Sequence, residues 1–252
     1  VSPPLVHTAP DDVARPAHAP TVLIVQAGQP DPAIRQRLGD YPAWFGEVFA
    51  LEGATSEPVA VFEGEALPYG GRYEGIVLTG SAHSVRDEAP WMAMLGRWAL
   101  AMAAHTPVLA VCFGHQLVGE ALGGRVDTNP AGPEWGTVDV RLNDAGRADP
   151  LFTDLPALLR VHALHRDVVL REPEPQRFTR LAGNPNTSLQ AFAVGPWLRA
   201  VQFHPELTAP RLGAILDGRG WTPTTPVEAS DHGARILRNW VRHYVRRAES
   251  AG

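Results

Sequence analysis

The sequence contains no lysine and one cysteine, and no apolar run in it approaches the ~18 residues that a membrane-spanning helix requires. With Cys112 as the single thiol, an intrachain disulfide and a cysteine-based zinc cluster are both excluded, and a reducing, cytoplasmic setting is the expectation. An excess of positive charge is lacking as well. The 22 basic residues, all arginine, face 27 acidic ones for a net charge of −5, which is not the balance of a nucleic-acid binder. The opening stretch VSPPLVHTAPDDVARPAHAP has neither the basic start nor the apolar centre of a secretion signal. Ten histidines are scattered without the short His/Asp/Glu spacing of a ligand set, so neither a metal nor a cofactor is expected. No internal repeat is present.

What the chain does have is apolar material, 44% of its 252 residues, enough for a full core. Its 24 prolines and 24 glycines punctuate loops. Residues 1–20, rich in proline and alanine and without apolar periodicity, read as an arm, and residues 21–252 as one domain. TVLIVQAG, EPVAVFEG, YEGIVLTG and PVLAVCF are short apolar runs that predict strands. Between them, YPAWFGEVFALEG and APWMAMLGRWALAMAAH have helical spacing, the first turning inward Trp44, Phe45, Val48, Phe49 and Leu51, the second Trp91, Met94, Leu95, Trp98 and Met102. GHQLVGEALGG predicts a helix stopped at Gly123-Gly124. Such alternation predicts a three-layer α/β fold with a mostly parallel sheet. In the second half, GTVDVRL, LLRVHAL, DVVLRE, FTRLAG, SLQAFAV and WLRAVQF predict an antiparallel extension of that sheet, followed by helices near 207–217 and 227–247. The last helix should bury Ile236, Leu237, Trp240, Val241, Tyr244 and Val245 and leave its arginines outward.

In parallel sheets ligands collect beyond the carboxyl ends of strands, and Cys112 stands at such an end just before a helix. A buried cysteine is a small hydrophobe by default, but this one has small neighbours two positions to either side, Ala110 and Gly114, as a sharp strand-to-helix turn around a nucleophile demands. Unsatisfied amides at the helix start favour a thiolate. A nucleophile of this kind needs a base and a group to orient it, and AVQFHPEL supplies both. Pro205 biases His204 toward an extended conformation, in which Glu206, two residues on, shares its face.

PVLAVCFGHQLVGEALGG together with AVQFHPE resembles the class I (triad) glutamine amidotransferases, and IVLTGSAHSV and LHRDVV match looser segments of that family in the expected order. The free-standing members similar to the amidotransferase half of GMP synthetase and to the γ-glutamyl peptidases share the GSxH and CFGHQ segments. The resemblance implies a flavodoxin-like α/β fold and a Cys112, His204, Glu206 triad that cleaves a γ-glutamyl amide through a thioester. Backbone amides of Ser81 and Phe113, with Gly80 shaping the loop, would hold the oxyanion, donors typically worth about 3 to 4 kcal/mol each. Gln116, His165, Arg166 and Asp167 would contact the substrate, and Glu134 and Trp135 of GPEWG would select what lies beyond the γ-glutamyl group. Ala110 stands where the family usually has glycine, and Ser81 where many synthetase-type members have it. Glutamine or a γ-glutamyl small molecule is the implied ligand, and a separate synthetase accepting ammonia the implied partner, since no synthetase domain is expected within these residues. Two alternatives stay open: a γ-glutamyl peptidase acting on larger conjugates, and a non-catalytic binding or regulatory subunit.

Overall fold

The structure, a computed structural model, describes residues 19–68 and 73–249. Its strands are β1 (Thr21–Gln26), β2 (Thr55–Ala60), β3 (Gly75–Leu78), β4 (Val108–Val111), β5 (Arg125–Thr128), β6 (Glu134–Leu142), β7 (Leu158–His165), β8 (Asp167–Arg171), β9 (Thr179–Gly183), β10 (Ala191–Val194) and β11 (Leu198–Val201). The helices are α1 (Pro32–Leu38), α2 (Tyr41–Leu51), α3 (Pro90–Met102), α4 (Phe113–Ala121), α5 (Asp144–Ala148), α6 (Ala209–Arg219), α7 (His232–Trp240) and α8 (Arg246–Glu249), with a π-helical turn at Val241–Val245 between the last two.

Nine strands form one mixed sheet in the order β2-β1-β3-β4-β11-β10-β9-β6-β7. From β2 to β11 every pairing is parallel, and from β11 to β7 every pairing is antiparallel. The continuous apolar runs mark strands buried on both faces, as parallel strands are. Alternate residues serve opposite layers: Val22, Ile24, Leu109 and Val111 pack with Phe45, Phe49 and Trp240 beneath α2 and α7. Leu23, Val25, Val108 and Ala110 pack with Leu95, Trp98 and Leu117 of α3 and α4. Three layers result. β2, which carries Pro58, lies at the sheet's edge, where a missing N–H is tolerated.

The α/β architecture with its parallel core and antiparallel second half matches the expectation, and five details differ. Two of the six second-half strands do not extend the sheet antiparallel to it. β8 pairs with β5 in a separate two-stranded sheet, and β11 is the fifth parallel strand, in register with β4 through Ala200↔Ala110. Leu51 is 75% exposed because α2 ends there, and Met94 is 46% exposed while Met92 takes its inward place on α3. β4 stops at Val111, which puts Cys112 in the turn rather than in the strand. The last helical segment buries all six apolar residues expected of it. Of the expected N-terminal arm, residues 1–18 lie outside the described residues, and the Pro20 carbonyl accepts the Thr55 amide at 2.8 Å beside β1. Among the described residues no helix is long and apolar enough to cross a membrane.

Candidate active site

Cys112 adopts φ 50° and ψ −99°, a conformation that a residue with a Cβ avoids and that costs of order 1–3 kcal/mol. Its neighbours hold it there. The Cys112 amide donates to the Val201 carbonyl at 2.8 Å, extending the β4–β11 ladder by one bond before the chain turns into α4. Close approach is what Gly114 provides: a Cβ on it would stand 2.8 Å from Cβ of Leu78 and 2.9 Å from the Leu78 carbonyl. The first N–H groups of α4, beginning with Phe113, have no acceptor within the helix and open toward the turn.

The chain leaving β11 is tied to both sides, Gln202 N–H to the Gln190 carbonyl and His204 N–H to the His162 carbonyl, each at 2.8 Å. Gln202 Nε2 lies 3.6 Å from the Cys112 sulfur, and its Oε1 accepts from Gln116 Nε2 at 3.3 Å. Sequence reasoning passed over Gln202, although a glutamine within the apolar tail AVQF, two positions before His204, was a visible signal. Past His204 the backbone turns, with Leu207 N–H to the His204 carbonyl at 3.4 Å, instead of running extended as Pro205 suggested. That turn returns the Glu206 carboxylate to the imidazole, Oε1 to Nδ1 at 2.7 Å, with both groups buried. Burial by itself favours the neutral ring, but the Glu206 carboxylate and the Cys112 sulfur outweigh it and hold the His204 pKa well above the ordinary histidine value. Gly80 leaves room for this ring: a Cβ there would stand 2.7 Å from His204 Cε1 and 3.7 Å from Cys112 Cβ.

A cleft of about 370 Å³ opens over the turn, lined by Ser81, Cys112, Phe113, Gln116, His165, Arg166 and Asp167 among others. His204 and Glu206 do not line it. The Ser81 hydroxyl donates to the Ala27 carbonyl at 2.9 Å and accepts the His83 amide at 3.0 Å, which fixes the 80–84 loop. Gln116 Nε2 donates to the Asp167 carbonyl at 2.7 Å, and the Asp167 carboxylate accepts from Ser84 and Thr128. Arg166 extends into solvent, its side chain 67% exposed.

Glu134 does not line this cleft. It is buried, accepting from Asn184 Nδ2 at 2.6 Å, Thr187 Oγ1 at 2.7 Å and Gln190 Nε2 at 2.8 Å, with His165 Nε2 at 3.1 Å. Although burial favours its protonated form, the contact with His165 and the other donors keeps its pKa below the ordinary carboxylate value. His165 is thus held from behind, and of the two GPEWG residues expected to select, only Trp135 lines the cleft. Among the described residues no group of three or more His, Cys, Asp or Glu side chains is placed to hold a metal.

Residues 59–216 match the family model described as glutamine amidotransferase class-I. The chain belongs to this family. The matched segment of the class I amidotransferase spans Gly80, Ser81, Cys112, His204 and Glu206 and ends before Arg219 and Trp221, which also line the cleft. Over 235 residues the chain is 33% identical to a GMP synthase [glutamine-hydrolyzing] of Aeropyrum pernix, covering 91% of this chain but 37% of that protein. It is 27% identical over 190 residues to gamma-glutamyl peptidase 3 of Arabidopsis thaliana, covering 73% of this chain and 76% of the peptidase. A glutamine amidotransferase from Thermotoga maritima shares the fold at TM-score 0.71 and 21% identity, over 91% of this chain and 99% of that one.

Proposed function

We propose that residues 21–252 act as one amidohydrolase domain that cleaves the γ-amide of glutamine, or of a γ-glutamyl compound, through a thioester on Cys112. The observation that carries this reading is the buried His204–Glu206 pair, hydrogen-bonded at 2.7 Å beside a cysteine at positive φ. In this mechanism His204 takes the thiol proton as the sulfur attacks the γ-carbonyl carbon. Amides of Phe113 and Ser81 receive the oxyanion. The C–N bond then breaks and His204 hands its proton to the departing nitrogen, leaving glutamate joined to sulfur. Water, deprotonated by His204, attacks the thioester. The S–C bond breaks, glutamate leaves and the proton returns to Cys112. Glu206, bonded to Nδ1, keeps Nε2 for these transfers.

Gln116 and the backbone at Arg166 and Asp167 hold the substrate's amino-acid end in this reading, with His165 braced by Glu134. The likeness to a GMP synthase supports glutamine as substrate and a synthetase as the acceptor of the ammonia. A cytoplasmic setting would keep the lone thiol reduced.

Incubation with glutamine should release ammonia and glutamate in equal amounts and leave an adduct on Cys112 detectable by intact mass. Cys112→Ala should lower turnover by about 10⁴-fold or more, as removal of a nucleophile does in comparable triads. Normal turnover by that variant would falsify the assignment.

A further inference from the structure

Glutamine is a small ligand, whereas a cleft of about 370 Å³ falls in the range of roughly 300–1,000 Å³ that takes drug-sized ligands. Part of its lining has no task in glutamine hydrolysis. Trp135 at the start of β6 stacks on Trp221, ring centroids 4.4 Å apart and planes inclined by 12°. The Arg219 guanidinium lies 4.8 Å above the Trp221 ring. Its Nε donates to Asp31 at 3.0 Å, and its two terminal nitrogens make no hydrogen bond among the described residues. The stack is fixed in place, because the Thr224 amide donates to the Trp135 carbonyl at 2.7 Å and Thr224 Oγ1 accepts the Trp135 amide at 2.9 Å. Both rings pack against the apolar cluster of Ile34, Tyr41, Trp44 and Leu212, whereas Phe113 belongs to the cluster around α3 and α4. The cleft is therefore bounded by two separately packed walls. Both tryptophans are half-buried and line the cleft.

We propose that the Arg219–Trp221–Trp135 stack is a subsite for the leaving amine, and that the substrate is a γ-glutamyl-amino acid whose second residue is apolar. This rests on the amidohydrolase reading above. The apolar side chain lies against the indoles, and the α-carboxylate meets the free nitrogens of Arg219. When the Cys112 sulfur bonds to the γ-carbonyl carbon, the C–N bond breaks and the amino acid leaves with the proton from His204. Water then releases glutamate. Ammonia, leaving from glutamine, touches none of this surface.

The test compares kcat/KM for γ-glutamyl-phenylalanine, γ-glutamyl-phenethylamide and glutamine in the unaltered protein, in Trp221→Ala and in Arg219→Gln. The unaltered protein should prefer γ-glutamyl-phenylalanine to both. Trp221→Ala should lower the phenylalanine-to-glutamine ratio by about tenfold or more, the scale on which an apolar pocket discriminates. Arg219→Gln should lower the phenylalanine-to-phenethylamide ratio by about tenfold, the worth of one charge-assisted hydrogen bond. If Trp221→Ala does not fold, the arginine variant decides alone. Glutamine turnover with ratios that neither variant changes would overturn the subsite and leave the amidohydrolase standing. No turnover of any of the three, with Cys112 unlabelled by an electrophilic glutamine analogue, would overturn both.

Discussion

The two halves of the nine-stranded sheet differ in what they bury and in what stands at their strand ends. In the parallel half, β3, β4 and β11 are buried on both faces, and the groups beyond β4 and β11 are Cys112 at positive φ and His204 under the pull of a carboxylate. In the antiparallel half, β6 alternates buried and exposed residues toward its far end, and at the cleft it buries Glu134 among three hydrogen-bond donors and His165. A strained cysteine and a histidine with a raised pKa stand together where chemistry is proposed. Satisfied polar contacts are gathered where lining must be held still. A substitution in the first half should therefore cost rate, and one in the second should cost stability.

The sharpest way to break that contrast is Gly80→Ala. The added Cβ would stand 2.7 Å from His204 Cε1, so the ring must move. A displacement on the ångström scale costs about 10²-fold in rate. The expected outcome is that loss in ammonia or amine release with a urea midpoint close to that of the unaltered protein. Undiminished turnover would show that the ring is not held where it acts.

Glu134→Gln is the opposite case. The amide keeps the shape but replaces one acceptor oxygen with an NH2 group that faces other donors, which should cost about 2 to 3 kcal/mol in urea unfolding. Turnover should fall less than in Gly80→Ala. The native carboxylate has a lowered pKa, so its stabilisation is present above the ordinary carboxylate value and is lost as pH falls through the lowered one. Loss of rate without loss of stability would erase the distinction between the halves.

The same contrast explains which features could be read in the sequence. Buried parallel strands are unbroken apolar runs, and a sharp strand-to-helix turn needs small residues at fixed offsets, so β4 and the turn through Cys112 and Gly114 were legible together. His204 and Glu206 were legible because they are two residues apart, although the turn that joins them was not. β11 could not be told from its antiparallel neighbours, since its run WLRAVQF looks like theirs and its pairing with β4 joins residues some ninety positions apart. Leu51 and Met94 satisfy helical spacing, and only the helix end and the tilt of the packed face decide that they are exposed. Glu134 reads as a cleft residue from its motif, yet its partners Asn184, Thr187 and Gln190 lie on a loop fifty residues away that no local pattern points to.

Near neutral pH the smallest effect is expected where the halves meet. His115, on α4 just after the Cys112 turn, packs against Phe192 of β10 with ring centroids 4.8 Å apart and planes inclined by 58°, and is fully buried. Burial first, and then the neighbouring His165, pushes its pKa down from 6.5 to about 3. Above pH 6.5 the ring is neutral in both the folded and the unfolded chain, and it adds no pH dependence to stability. Between 6.5 and about 3 the unfolded chain takes up a proton that the folded one refuses, so stability declines as pH falls. The decline approaches about 1.4 kcal/mol per pH unit for one such group. His115→Phe keeps a ring against Phe192 and removes the titration, so its stability should match the unaltered protein near neutrality and fall less steeply below it. Carboxylates such as Glu134 titrate in both proteins and cancel in the difference. Parallel stability curves from pH 7 to pH 4 would mean that His115 is protonated in the folded state, and that the seam between the halves admits the water or acceptor needed to stabilise that charge.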